Sequence, residues 1–151
     1  MIIQFCKYQN HLAFRKWLKS NLPIQQKHDG VVYKLFTQNQ EKRVPVNRIA
    51  EIDSNGILYI GKTTKPFDRL ALLFKSFQNP PPKNKLWQHG AEEIYWQCDK
   101  VREKYPFEKM FLEIILYEDS KTGEIVEISS YYTKFGEVPP FNGAIVKQKK
   151  Q

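Results

Sequence analysis

Five side chains in this sequence have the chemistry needed to act on a phosphate group. Tyr33 and Tyr59 supply phenol hydroxyls, which can position or deprotonate a water molecule. Arg69 supplies a guanidinium fork suited to phosphate oxygens. Glu127 supplies a hard carboxylate oxygen of the kind that Mg²⁺ or Mn²⁺ prefers, and Asn142 supplies an amide. Hydrolysis of a phosphodiester needs such groups for its attacking water, its developing charge and its leaving oxygen.

Each of the five residues also has a structural interpretation. A strand tyrosine such as Tyr33 or Tyr59 commonly packs on a core. Arg69 can be an exposed helix residue paired with a nearby carboxylate. Glu127 can belong to a salt bridge, and Asn142, which follows two prolines, can make a turn. The order and spacing of all five positions together favour a site over these separate interpretations.

The predicted elements before residue 80 would place three of these side chains. Residues 31–36 and 57–61 are β-branched and aromatic, so they predict two strands, one carrying each tyrosine. A helix over residues 63–77 would carry Arg69, with Thr64 and Pro66 near its start. Its apolar stripe comprises Phe67, Leu70, Leu73, Phe74 and Phe77.

The second half of the chain predicts the elements that carry the remaining candidates. Residues 87–105 indicate an irregular helical segment, and residues 111–117 predict a third strand. A last helix over residues 122–135 would carry Glu127 and end at Gly136. The stripe expected to face inwards on this helix comprises Ile125, Ile128, Tyr132 and Phe135.

This order of elements predicts an α+β fold, a small and mainly antiparallel three-stranded central sheet flanked by helices. The length fits one domain over residues 1–151. We expect it to begin with a helix over about 11–22, to contain an insertion over about 37–56, and to end in a basic tail over 147–151.

The composition narrows the class of protein and of partner. Residues 1–88 carry 15 Lys/Arg against 5 Asp/Glu, so the excess of positive charge lies in that part of the chain. Such a basic surface favours an anionic partner, although it can also serve solubility alone. The sequence contains no long apolar run and no signal peptide, so we expect no membrane partner. Two cysteines, Cys6 and Cys98, make no disulfide framework, which favours a cytoplasmic location.

The segments Val31-Val32-Tyr33 and Tyr59-Ile60-Gly61 resemble the paired strand motifs that name the GIY-YIG nuclease family. The resemblance extends to an arginine on the helix after the second motif, here Arg69. It also extends to a glutamate on a later helix followed by an asparagine, here Glu127 and Asn142. The similarity covers about residues 30–142. The first motif departs from the pattern because Val31 stands first, with Gly30 one residue earlier.

The resemblance implies a metal-dependent endonuclease that hydrolyses phosphodiester bonds in DNA with one Mg²⁺ or Mn²⁺ ion held by Glu127. Gly61 belongs to the second motif, and Lys62 directly follows it. Many members carry a histidine one turn after the arginine, where this chain has Leu73. Lys62 or His89 can substitute for it, although His89 can equally be a loop histidine. An inactive nucleic-acid-binding module and a basic protein-interaction adaptor are the alternative functions.

The expected partner is nucleic acid, foremost double-stranded DNA, with the protein in the cytoplasm at the nucleoid, or in the nucleus of a eukaryotic cell. Because no separate DNA-binding domain fits, contacts would come from this domain, from a homodimer or from a partner protein. Trp87 and Trp96 can stack on unpaired bases or lie in the core. The candidate phosphate contacts are Lys42, Arg43, Arg48, Lys75, Lys83 and Lys85.

Overall fold

A computed structural model describes residues 1–82 and 90–143 of the chain. Its strands are β1 (Ile2–Gln4), β2 (Gly30–Asn39), β3 (Lys42–Arg43), β4 (Val46–Asn47), β5 (Ile52–Asp53), β6 (Ile57–Thr63) and β7 (Met110–Tyr117). Its α-helices are α1 (His11–Asn21), α2 (Pro66–Gln78), α3 (Gly90–Gln97), α4 (Asp99–Lys104) and α5 (Ser120–Phe135). Short 3-10 helices cover Phe5–Lys7, Phe107–Lys109 and Pro140–Asn142.

The main sheet is antiparallel throughout, and β2 lies at its centre between β7 and β6. β1 pairs with the outer edge of β7, and β3 pairs with the far end of β2. The α+β class and the antiparallel pairing are confirmed, but the sheet has five strands instead of three. The two additional strands are three and two residues long, which is too short for a periodic pattern to predict them.

The expected insertion contains short strands of its own. β2 runs on to Asn39 and turns through Gln40 and Glu41, both at positive φ, into β3. A separate two-stranded ribbon of β4 and β5 follows. Gly56, at a φ of 62°, then leads into β6. The insertion therefore lies against the end of the central strand.

Apolar side chains fill both faces of the main sheet. On one face Tyr33 and Leu35 of β2 pack with the apolar stripe of α2, and with Phe14 and Leu18 of α1. The other face is covered by α5, where Tyr131 pairs with Phe135. Leu70, Leu73, Phe74 and Phe77 are buried as expected, with Phe67 half-buried against the same core.

The inner face of α5 differs from the expected stripe. Ile128 and Phe135 do pack on the sheet, but Ile125 is 56% exposed and Tyr132 is 57% exposed. Tyr131 and Gly123 take the inner positions instead, and Gly123 lies against the Tyr117 ring. The helix is thus rotated relative to the prediction, because apolar residues occur on more than one of its faces. Gly136, at a φ of 75°, ends it as expected.

Candidate functional site

The two motif tyrosines share one face of the sheet because their strands pair in register. Tyr33 of β2 lies opposite Gly61 of β6, and Leu35 lies opposite Tyr59. Cross-strand partners project from the same face, so Tyr59 is the diagonal neighbour of Tyr33. Their ring centroids are 6.0 Å apart. This face is covered by α2, which begins three residues after β6 and therefore remains close to both rings.

Gly61 leaves space for both tyrosine rings. A Cβ atom at this position would lie 2.7 Å from Cζ and from the hydroxyl of Tyr33, and 2.8 Å from Cε1 of Tyr59. Real Cβ atoms almost never approach other atoms so closely, so any larger residue would displace the rings. The glycine therefore fixes the relative position of the two hydroxyls.

Arg69 lies about one turn into α2, which starts with Pro66 at its first position. Its positive charge influences the pKa of both Tyr33 and Tyr59, so the guanidinium lies close to both hydroxyls. Arg69 is half-buried. Within residues 1–82 and 90–143 it forms no ion pair, since Asp68 pairs instead with Arg15 at 2.7 Å. A half-buried cation with no anionic partner is suited to bind an anion.

The hydroxyl of Tyr33 is the most unusual group in this cluster. It is buried and makes no hydrogen bond of normal geometry, although Tyr59 and Arg69 lie close enough to affect its ionisation. Burial raises the pKa of Tyr33 well above its usual value of about 10, and the neighbouring Tyr59 adds to this effect while Arg69 opposes it. The phenol therefore stays protonated near neutral pH. It can donate a hydrogen bond, but it is a poor base.

The charge of one α5 carboxylate, Glu124, also affects the pKa of Tyr59. Burial is the main cause that raises the pKa of Tyr59; Arg69 lowers it, and the negative charge of Glu124 raises it. Glu124 is half-buried, and it forms no ion pair in the part of the chain that the structure describes. It lies one helical turn before Ile128, which packs against the strand that carries Tyr59. Sequence reasoning missed Glu124, although its spacing from Ile128 was a usable signal.

Glu127 belongs to the opposite face of the sheet. Its Oε2 lies 2.6 Å from Nζ of Lys34, and Tyr117 donates a hydrogen bond to its Oε1 at 3.1 Å. Lys34 follows Tyr33 directly on β2, so the two side chains project from opposite faces. The expected metal ligand Glu127 is therefore already engaged by Lys34 and Tyr117, and its convergence with the tyrosines and Arg69 stays a prediction.

Asn142 binds the backbone of the second motif. Its Oδ1 accepts a hydrogen bond from the Ile60 N–H at 2.8 Å, and its Nδ2 donates to the Ile60 carbonyl at 2.7 Å. β6 pairs with β2 along one side, so this amide satisfies backbone groups on the other side of the strand. Because Ile60 lies between Tyr59 and Gly61, Asn142 positions the motif and does not act as a simple turn residue.

Of the two accessory candidates Lys62 and His89, only Lys62 lies within the described residues. Lys62 is half-buried, directly follows Gly61 on β6, and has no acidic partner among the described residues. His89 lies outside the described residues, as do Lys83, Lys85, Trp87 and the tail over 147–151.

The expected phosphate contacts are only partly available. Lys42 and Lys75 are exposed. Arg43 lies over the Phe36 ring, 3.8 Å from its centroid, and its Nη1 donates to the Asn55 carbonyl. Arg48 donates to the Val138 carbonyl at 2.6 Å and pairs with Glu137 at 2.9 Å. With only 10% of its side chain exposed, Arg48 ties the insertion to the segment after α5. Its guanidinium is therefore already engaged within the protein, and its contact with nucleic acid stays a prediction.

Trp96 packs against neighbouring residues of the protein, so its ring is not exposed for stacking on a nucleic-acid base. Its Nε1 donates to the Ser76 carbonyl at 2.6 Å, and the Arg102 guanidinium lies over its ring at 5.3 Å. Its ring also makes an edge contact with Tyr95. The core interpretation of this tryptophan therefore applies.

None of the helices within residues 1–82 and 90–143 combines the length and apolar character needed to cross a membrane. Comparison with protein-family models, with curated proteins and with solved structures finds no match for this chain. Among the predicted site residues, Tyr33, Tyr59 and Arg69 are the ones that the structure brings together.

Proposed function

We propose that this protein is a metal-dependent endonuclease that hydrolyses phosphodiester bonds in DNA, with Tyr33, Tyr59, Arg69 and Glu124 at its active site. One observation carries the proposal. A buried Tyr33 hydroxyl that makes no hydrogen bond of normal geometry and a half-buried Arg69 guanidinium without an ion pair among the described residues lie together in one cluster. Both are donors, and a phosphate oxygen satisfies both.

Glu124 has the chemistry to hold a divalent cation beside this phosphate. It is a half-buried carboxylate with no ion pair among the described residues, and its negative charge raises the pKa of Tyr59. Within residues 1–82 and 90–143, no three His, Cys, Asp or Glu side chains gather where they could share an ion. A bound Mg²⁺ or Mn²⁺ would neutralise phosphate charge and acidify a coordinated water. With a single carboxylate ligand, this is a one-metal site.

The protein side chains then divide the remaining tasks. Arg69 binds the phosphate through two N–H groups and stabilises the charge that develops on phosphorus. Tyr33, protonated at neutral pH because burial raises its pKa, donates a hydrogen bond to a phosphate oxygen. Tyr59 neighbours this donor, and its hydroxyl can hold the attacking water. Asn142 and Gly61 keep the two tyrosines in position.

Cleavage assays with defined substrates test this proposal. The protein is incubated with supercoiled plasmid, linear duplex, branched DNA and RNA in Mg²⁺, in Mn²⁺ and in EDTA. We expect DNA cleavage that requires the metal and that Arg69→Ala reduces in both substrate affinity and rate. Arg15→Ala is the matched control. It also removes an arginine close to α2, since Arg15 pairs with Asp68, but Arg15 has no role in the proposed mechanism. Absence of cleavage of all four substrates with both metals would refute the proposal.

A further inference from the structure

The only charged side chains in the first 28 residues are positively charged, and the proposed active site uses none of them. They contain five basic residues, Lys7, Arg15, Lys16, Lys19 and Lys27, and no aspartate or glutamate. All four lysines are exposed. Most of this charge is therefore free to meet an anionic partner.

Helix α1 holds part of this charge next to the helix that carries Arg69. The Phe14 ring stacks on Phe74 at 5.3 Å, and Arg15 pairs with Asp68 at 2.7 Å. Gln78, at the end of α2, donates to the carbonyl of Gln9, just before α1. The two helices are therefore antiparallel. The last turn of α1, with Lys19, lies towards the start of α2.

The segment after α1 also runs close to the start of α2. A Cβ at Gly30 would lie 2.2 Å from the carbonyl oxygen of Thr63, so the backbones of the two segments are in close contact. Lys27 stands three residues before Gly30. Lys65 stands two residues after Thr63 and is the N-cap residue of α2. Three segments that carry Lys19, Lys27 and Lys65 thus run close to the N-terminal end of α2, one turn from Arg69.

We infer that four lysines, Lys16, Lys19, Lys27 and Lys65, form a basic rim that docks the phosphate backbone of duplex DNA beside the active site. The inference rests on the proposed function, whose substrate-binding surface it names. Two acidic residues occur in these segments, and both are engaged: Asp29 accepts from the Ser120 N–H at 2.7 Å, and Asp68 pairs with Arg15. Neither acidic residue of these segments is therefore free to offset the charge of the lysines.

The surroundings of the rim favour a duplex over a single strand. Proteins that bind unpaired strands commonly offer exposed aromatic rings on which bases stack. Near the rim, the Trp17 and Tyr8 rings lie 5.7 Å apart, half-buried against the core. Tyr132, on α5, is the exposed aromatic side chain among the described residues. Lysines without stacking partners suit the regular phosphates of a duplex.

Binding measured in EDTA tests the rim separately from cleavage. The variant Lys16→Glu/Lys19→Glu reverses two charges of the rim, and Lys16→Arg/Lys19→Arg keeps them. The control Lys100→Glu/Lys104→Glu makes the same change on α4, which packs beside α3. Each protein is titrated into a fluorescently labelled DNA duplex, and anisotropy gives the Kd at several salt concentrations. Circular dichroism checks that each variant is folded.

We expect the Glu pair to weaken duplex binding at least about tenfold and to reduce the slope of log K against log salt by about 2, since each lost phosphate contact lowers it by nearly one. The Arg pair and the α4 control should bind as the unaltered protein does. Equal binding by the folded Glu pair would overturn the inference, and so would tighter binding of a single strand than of the duplex.

The two proposals fail in distinguishable ways. If the unaltered protein cleaves DNA but the Glu pair binds the duplex as tightly, the rim is refuted and the endonuclease proposal stands. If binding depends on the rim but no substrate is cleaved in either metal, the endonuclease proposal is refuted and the docking surface stands.

Discussion

The carboxylate of Glu127 lies 2.6 Å from the ammonium group of Lys34, on the face of the sheet that α5 covers. About one fifth of each side chain is exposed, so the pair is largely removed from water. Tyr117 adds a hydrogen bond to the same carboxylate. The pair also lines a cavity together with Glu113, Asp53 and other residues of that face. Glu127 is thus part of the packing between α5 and β2.

This pairing predicts that Glu127→Gln affects stability. The substitution removes the carboxylate charge that Lys34 contacts at 2.6 Å, which should cost roughly 1–3 kcal/mol, between the values for exposed and buried pairs. Denaturant unfolding measures the loss. The double variant Lys34→Met/Glu127→Met removes both charges and should recover much of it. An unchanged unfolding free energy for Glu127→Gln would show that the pair contributes nothing.

Replacement of Tyr33 by phenylalanine should separate stability from activity. The hydroxyl is buried without a normal hydrogen bond, so its removal should leave the free energy of unfolding unchanged or raise it by about 1 kcal/mol. Cleavage should fall on the order of 10²-fold because a donor to the phosphate is lost. Tyr131→Phe is the contrasting control. It removes a buried hydrogen bond to Asp53 and should lower stability instead.

The pH dependence of the Tyr33→Phe effect tests the role of the hydroxyl. Because burial raises the pKa of Tyr33, the phenol is protonated throughout the range from about pH 6 to about pH 9. The ratio of the two proteins' rates should therefore stay constant over that range. Any stability linked to this raised pKa is complete below about pH 10 and is lost only as the pH rises further. A ratio that grows steadily with pH would mean that Tyr33 acts as an ionised base.

Gly61→Ala should impair cleavage while preserving the fold. The new Cβ would meet the Tyr33 and Tyr59 rings at 2.7 and 2.8 Å, so the rings must move apart. A displacement of that kind at a reacting centre can cost about 10²-fold in rate. Gly90→Ala is the matched control, since a Cβ there meets nothing within 4 Å. Equal cleavage rates for the two variants would contradict the assigned role of Gly61.

Asn142→Ala should destabilise β6, the strand that carries the second motif, along the edge that faces away from β2. Two hydrogen bonds to the Ile60 backbone are lost, which should destabilise the protein by about 1–3 kcal/mol. Hydrogen exchange of the Ile60 amide measures the effect locally, and its protection should fall more than that of the Leu35 amide in the central strand. Unchanged protection at Ile60 would argue against the contact. Because Asn142 positions Tyr59, cleavage should decrease without being abolished.

Sequence patterns predicted the two strands that carry the tyrosines and the helix that carries Arg69, because the β-branched runs and the apolar stripe of α2 are unambiguous. They could not show the contact between Asn142 and Ile60, since it joins residues 82 positions apart. They also failed at the phase of α5. Ile125 and Tyr132 suggested one inner face, but both are exposed, and Tyr131 is buried instead. Nor could they show that Lys34 pairs with Glu127 across the sheet and helix α5.

Cleavage by two isosteric variants of α5 tests the central claim most directly. Glu124→Gln and Glu127→Gln remove one carboxylate charge each, one turn apart on the same helix. Initial rates are measured on the same duplex substrate in Mg²⁺, and each rate is divided by the folded fraction of that variant. The account predicts a loss on the order of 10³-fold or more for Glu124→Gln, because a metal ligand supplies several kcal/mol, and near-normal rates for folded Glu127→Gln. Normal cleavage by Glu124→Gln together with an inactive but folded Glu127→Gln would contradict it.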